Sequence, residues 1–458
     1  MIISTPLGSY KGLTTPHGLI FKGIPFANVS QRFKPATPIK AHPTTYDATA
    51  YGPIAMQPTT SSHLPMSENC LNLNIWTPNI ETLKPVVIQI HGGGFTAGTG
   101  ADDLFNGESF IKTHDVVYVS LNYRLGVFGF LDVSPLLGPL YQPSGNLGIL
   151  DLIEGLRFVH HYIQCFGGDP NRVTLMGESA GAKCVATLLT LQEARPYFNQ
   201  AILQSGALQC IRDLPTAQAV TSDFLTQLAH LLDVPHLTHD ELLTIDASVL
   251  LQAQQKMSSL HTFGPVFDHI LLKTEPCTAL AMLKKYPLRV LMGYNLNEAH
   301  LFLENNSPLL TKDYQTVNQL FGTNTAYILS QPGDWSAVLT QYLYQNATLQ
   351  LAKWLVALEH EVYFYRFDYG RACHAFDLAF VFDAPIKNHP LHTFDLDGQS
   401  LATFMHTTWG DFITQASLSD WPCLTKTQQI LILDRSLTVE SFEVNKLDSC
   451  FPLQVFKR

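Results

Sequence analysis

An α/β chain with a mostly parallel central sheet is predicted by three observations. Two continuous apolar, β-branched runs, 85–90 (PVVIQI) and 116–123 (VVYVSLNY), have the character of strands covered on both faces. Residues 145–181 read as helix, turn and strand ending in a sharp glycine-rich turn. Further strand-like runs at 200–206, 288–295 and 362–369 alternate with helical, apolar-spaced sequence over 207–287 and 300–360. That alternation puts helices on both faces of the sheet, with helical insertions between the later strands.

Taken in order, the first 60 residues hold short alternating runs broken by Gly and Pro, such as Gly18 to Pro25, which suit antiparallel strands at one edge. In 67–78 (SENCLNLNIWTP), Leu71, Leu73 and Ile75 alternate with asparagines, the pattern of a half-buried strand. The run 85–90 ends in His91-Gly92-Gly93-Gly94-Phe95. Three successive glycines after a buried strand suit a loop whose backbone N–H groups approach a reacting atom, where side chains would obstruct.

The chain centres on 172–190, RVTLMGESAGAKCVATLLT. Strand-forming residues meet Gly177-Glu178-Ser179-Ala180-Gly181 and pass into helical spacing at Val185, Leu188 and Leu189. A serine on such a turn takes a strained backbone that lifts its Oγ above the sheet, and the residues two before and two after it must be small to pack together. Gly107-Glu108-Ser109 begins the same way and lacks the second glycine.

Composition removes several functional classes. The 458 residues are 46% hydrophobic and 14% charged, with a net charge of −10 spread without basic runs. Nucleic-acid binding, which needs clustered Lys and Arg, is not expected. No apolar window approaches the roughly 20 residues of a membrane span, and the N-terminus has no basic or apolar signal region. The eight cysteines form no C-x-x-C pair and the 18 histidines form no H-E-x-x-H. No metal site is expected, and scattered thiols suit a reducing, cytoplasmic setting.

In sequence order, FKGIPFA, SENCLNLNIW, HGGGF, NYRLGVFGFL, GNLGILD, FGGDP, VTLMGESAGA, AILQSGA, FGPVFD, GYNLNE, CHAFDLAFVF and SDWP resemble the type-B carboxylesterase and cholinesterase family of α/β-hydrolases. The resemblance covers almost the whole chain, implies one domain over 1–458, and is greatest to bacterial para-nitrobenzyl-esterase-like members. Cys70 has no upstream cysteine with which to close the loop of secreted relatives.

The resemblance implies Ser179 as nucleophile, Glu298 as triad acid and His374 as general base, in the chain order of this fold. His360, His389, His392 and His406 compete with His374, and Glu304 with Glu298; the surrounding motifs select between them. It puts the oxyanion hole at the backbone N–H groups of Gly93, Gly94 and Ala180, and sets Ser205 and Asp377 beside Glu178 as a supporting network. The implied activity is hydrolysis of small uncharged esters through an acyl-enzyme, with no cofactor. The alternatives are a catalytically silent scaffold or adhesion protein, and a lipase or amidase with the same triad. Cholinesterases bind a quaternary ammonium on an aromatic face. The segment before Cys70 has no tryptophan, so a choline ester is not expected.

Overall fold

A computed structural model gives the fold, describing residues 1–58, 62–257, 263–304, 308–385, 389, 391–415, 418, 420–442 and 456–457. Its centre is an 11-stranded sheet. In chain order the strands are β1 (Leu13–Thr15), β2 (Gly18–Pro25), β3 (Asn72–Thr77), β4 (Lys84–Ile90), β5 (Val117–Leu121) and β6 (Gly168–Glu178). They continue with β7 (Gln200–Gln204), β8 (Arg289–Asn295), β9 (Glu361–Phe367), β10 (Gln429–Leu433) and β11 (Thr438–Ser441). Across the sheet the order is β1-β2-β3-β5-β4-β6-β7-β8-β9-β10-β11. Pairings from β5 to β10 are parallel; those at both ends, β1-β2, β2-β3, β3-β5 and β10-β11, are antiparallel.

Both faces are buried, and successive residues of one strand serve different cores. Val86, Ile88 and Ile90 of β4 join one apolar cluster and Val87 the other. The first cluster is covered by α1 (Leu147–Tyr162), α2 (Ala180–Leu189) and α3 (Asn346–Ala357), the second by α4 (Gln399–Thr414). Helices inserted over 214–282 and 314–345 complete the chain, the latter enclosing a smaller cluster of Ala299, Val317, Leu320, Ile328 and Leu339.

Two expectations need correcting. β3 is buried along its whole length, not half-buried. Its asparagines do not face water: Asn74 Oδ1 accepts from Gly23 N at 2.8 Å, and its Nδ2 donates to Ser120 Oγ at 3.1 Å. Hydrogen bonding removes the penalty that would otherwise keep them exposed. Strands β10 and β11 lie beyond the strand runs read from sequence, and β10 extends the parallel sheet past β9.

A buried ion pair ties the loop after β5 to α1. Arg124 Nη2 and Nε donate to Asp151 at 2.6 and 2.8 Å, and Arg124 Nη1 donates to Lys34 O at 2.8 Å. Cys70, Cys165, Cys184, Cys210, Cys373 and Cys423 are free, all but Cys165 of them buried; Cys450 lies outside the described residues.

Candidate active site

The carboxyl ends of parallel strands collect the groups singled out in the sequence, the usual place for a site in an open α/β sheet. Ser179 sits between β6 and α2 with φ 54° and ψ −121°, outside the regions an L-residue favours. Neighbours hold it there: Ser179 N donates to Gln204 O at 2.9 Å, and Lys183 N donates back to Ser179 O at 3.0 Å. A Cβ on Gly177 would lie 2.6 Å from Gly181 O, and one on Gly181 would collide with Ile90 O, so both positions of the turn require glycine.

Glu298 opens the turn after β8 and His374 follows β9; both are buried, as is Ser179. The two loops are zipped together by Asn297 N to Ala372 O at 2.9 Å and His374 N to Glu298 O at 3.2 Å. His374 Nδ1 is 2.6 Å from Glu298 Oε2, and His374 Nε2 is 2.7 Å from Ser179 Oγ. A carboxylate only accepts, so Nδ1–H donates to Glu298 and Nε2 is left to accept from the serine hydroxyl. Glu298 Oε1 accepts from Asn295 N at 2.8 Å. Burial works against the charged form of His374, but the Glu178 and Glu298 carboxylates outweigh it, and its pKa is raised.

The glycine loop after β4 lies against the serine turn. A Cβ on Gly92 would stand 2.8 Å from Glu178 Oε2 and 3.3 Å from Ser179 Cβ. Gly93 and Gly94 have φ of 101° and 62°, and Gly93 O accepts from Ala97 N at 3.0 Å, which tightens the loop. Among the described residues, none of the N–H groups of Gly93, Gly94 and Ala180 donates to a backbone carbonyl. Behind the loop, His91 stacks on Tyr123 with centroids 4.5 Å apart, and Tyr123 Oη donates to His91 O at 3.0 Å.

Glu178, Ser205 and Asp377 are all buried here, but no hydrogen bond joins Glu178 to either of the others among the described residues. Ser205 Oγ and Glu178 Oε1 have no hydrogen-bond partner. Glu178 Oε1 instead faces His374 Nε2 at 3.3 Å, and burial pushes its pKa up to about 8. Asp377 accepts from Gln204 Nε2 at 2.7 Å, Asn295 Nδ2 at 3.1 Å and Tyr365 Oη at 3.3 Å. Its pKa is raised by burial, against those hydrogen bonds.

The competing residues lie elsewhere. His360 is buried between α3 and β9, His389 stacks on His392 with centroids 4.3 Å apart, and His406 is 2.7 Å from Thr113 Oγ1. Glu304 pairs with Arg371.

Several neighbours of the site escaped the sequence reading. Gln204 and Asn295 are polar residues ending apolar strands, a pattern that signals a buried hydrogen-bonding duty. Tyr344 lies 4.6 Å from the His374 ring, in a π-helical turn over Gln341–Gln345, and Phe302 lies 5.2 Å from the same ring. Irregular turns of this kind frequently mark functional sites.

The sequence profile of the carboxylesterase family matches residues 1–334. The chain is 32% identical over 494 aligned positions to the para-nitrobenzyl esterase of Bacillus subtilis (strain 168), covering 98% of each chain. It superposes on a crystal structure of a Geobacillus stearothermophilus carboxylesterase with a TM-score of 0.87 at 32% identity, over 97% of this chain and 98% of that one. A solved para-nitrobenzyl esterase gives a TM-score of 0.84 at 29% identity, again over 97% and 98%. With a profile match over most of the chain and a relative aligned end to end, this protein belongs to the carboxylesterase family, and its fold is that of the α/β-hydrolases.

Proposed function

We propose that this protein is a serine carboxylesterase that hydrolyses small carboxylic esters through an acyl-enzyme, with Ser179, His374 and Glu298 as its triad. The observation that carries this reading is the pair of hydrogen bonds on one imidazole, 2.7 Å to Ser179 Oγ and 2.6 Å to Glu298 Oε2. As Ser179 Oγ attacks the ester carbonyl, His374 Nε2 takes its proton. Glu298 stabilises the imidazolium through Nδ1–H.

Charge then develops on the carbonyl oxygen. The N–H groups of Gly93, Gly94 and Ala180 receive it, each contributing on the order of 3 kcal/mol to the tetrahedral state. His374 next delivers the proton to the leaving alkoxide, and water repeats the sequence on the acyl-enzyme to release the acid. The 11-stranded sheet, which draws strands from Leu13 to Ser441, supports treating the chain as one domain. The free cysteines among the described residues support a reducing, cytoplasmic setting.

The test is covalent labelling. A fluorophosphonate probe should modify the protein once, on Ser179, and Ser179→Ala should abolish both labelling and turnover of p-nitrophenyl esters. Labelling that survives the substitution moves the nucleophile elsewhere, and an unlabelled wild type favours a scaffold role.

A further inference from the structure

Four residues past the nucleophile, α2 carries a lysine where its other residues are apolar or small. Lys183 is 9% exposed and lines a cavity of about 60 Å³ together with Gly94, Phe95, Cys210, Arg212 and Tyr344. Its Nζ stands 5.3 Å over the Tyr344 ring, the ring that also contacts His374. Among the described residues no carboxylate, carbonyl or hydroxyl accepts a hydrogen bond from that ammonium, and no Asp or Glu lines the cavity.

An ammonium buried without an anionic partner is costly, and the cost falls when a bound anion supplies the missing pair. Arg212 stands in the same wall, where its Nη1 donates to Cys210 O at 2.8 Å. The chain as a whole has a net charge of −10, so the buried Lys183 ammonium stands against its general balance. Burial lowers the Lys183 pKa, the direction that an anion in the cavity would reverse.

We propose that this cavity receives an acid group on the acyl chain of the substrate, so that the enzyme prefers half-esters of short dicarboxylic acids over uncharged esters. The proposal rests on the esterase reading above. In that reading the carbonyl oxygen lies at the N–H groups of Gly93, Gly94 and Ala180, and the leaving oxygen faces His374 Nε2. The acyl chain then runs away from the imidazole, past Gly94, which is itself part of the cavity wall. A volume of about 60 Å³ has room for a carboxylate at the end of a short acyl chain. The uncharged acyl group expected from sequence gives way to a short one ending in a carboxylate. The reaction consumes one water and releases the dicarboxylate and the alcohol.

The experiment compares monoethyl glutarate with ethyl hexanoate, of nearly equal acyl length, by acid release in a pH-stat. Wild-type kcat/KM should favour the half-ester about ten- to hundred-fold, the worth of one charge-assisted hydrogen bond. In Lys183→Met the ratio of the two values should fall to about one or below. A wild type that hydrolyses ethyl hexanoate as well as the half-ester overturns the proposal and leaves the esterase reading standing; this comparison needs no variant. A preference retained in Lys183→Met also overturns it. Turnover of neither ester, together with absence of fluorophosphonate labelling, defeats the esterase reading itself.

Discussion

Glu178 Oε1 lies 3.3 Å from His374 Nε2, the same ring nitrogen that reaches Ser179 Oγ at 2.7 Å. The imidazole is therefore flanked by two carboxylates, Glu298 on Nδ1 and Glu178 beside Nε2. With Glu178 pushed up to about 8 and His374 also raised, the two buried groups share their protons, and the acid limb of a rate profile belongs to the pair.

In wild type, kcat/KM should climb with pH in two steps, the upper near pH 8, as the Glu178 carboxylate forms and stabilises the imidazolium of the transition state. Glu178→Gln removes that charge. A histidine without it protonates less readily, so the variant should show one step at lower pH and a plateau about ten- to hundred-fold below wild type. Steady-state rates from pH 5 to 10 decide this; superimposable profiles would mean that the carboxylate does not act on His374.

The serine turn is strained by construction. Its φ of 54° with ψ −121° costs about 1–3 kcal/mol in a residue with a Cβ, partly regained through a less free unfolded chain. Ser179→Gly and Ser179→Ala should both be inactive, yet the glycine variant should be the more stable by about 1 kcal/mol in denaturant titration. Equal stability would show that the surrounding packing accepts the conformation without strain.

Gly93 and Gly94, adjacent in the loop after β4, should behave differently. A Cβ on Gly93 would strike Ala97 O, backbone that cannot step aside, whereas a Cβ on Gly94 finds its nearest neighbour, Thr96 Oγ1, at 3.9 Å. Gly94→Ala should fold with a loss of about 1 kcal/mol from its left-handed φ. Gly93→Ala should lose at least a hundredfold in kcat or fail to accumulate as folded protein. Thermal melts and labelling of the two variants side by side make the comparison.

Much of the frame was legible because it depends on local pattern. The β-branched runs at β4 and β5 could only be two-sided strands, and Gly177 and Gly181 announce a turn whose flanks must touch. What depends on distant partners was not legible. Asn74 alternates with apolar residues as a solvent-facing residue would, but its partners Gly23 and Ser120 lie far along the chain. Lys183 is the one charged residue of α2, and nothing in that segment alone shows that the helix is buried on every side. The donors to Asp377, which are Gln204, Asn295 and Tyr365, lie on other strands and are not marked in its own motif. The strands β10 and β11 are short, and only the exposed edge of β9 calls for them.

Asn295 joins the acid loop to the histidine loop. Its Nδ2 donates to Cys373 O at 2.8 Å and to Asp377 Oδ1 at 3.1 Å, while its backbone N–H, which an alanine keeps, serves Glu298. Asn295→Ala leaves the buried Asp377 with one donor fewer and frees the carbonyl preceding His374. Stability should fall by about 2–3 kcal/mol and kcat by ten- to a hundredfold, with KM within a few-fold. An unchanged kcat in a folded variant would mean that His374 is positioned without it.

Glu178 should also weaken the fold at neutral pH. Its pKa is raised from 4.5 to about 8 by burial, so the folded chain holds a proton that the unfolded chain releases. For a group raised in this way, stability is fully present below the unfolded pKa and is lost as pH rises toward the folded one. The loss therefore accumulates as pH rises from about 4.5 to 8. Glutamine keeps the shape and cannot ionise. Glu178→Gln should then match wild type in melting temperature near pH 4.5, exceed it by several degrees at pH 8, and gain nothing further above that. A difference in melting temperature independent of pH would show that Glu178 is ionised in the folded protein throughout this range, with its charge met by the imidazole it faces.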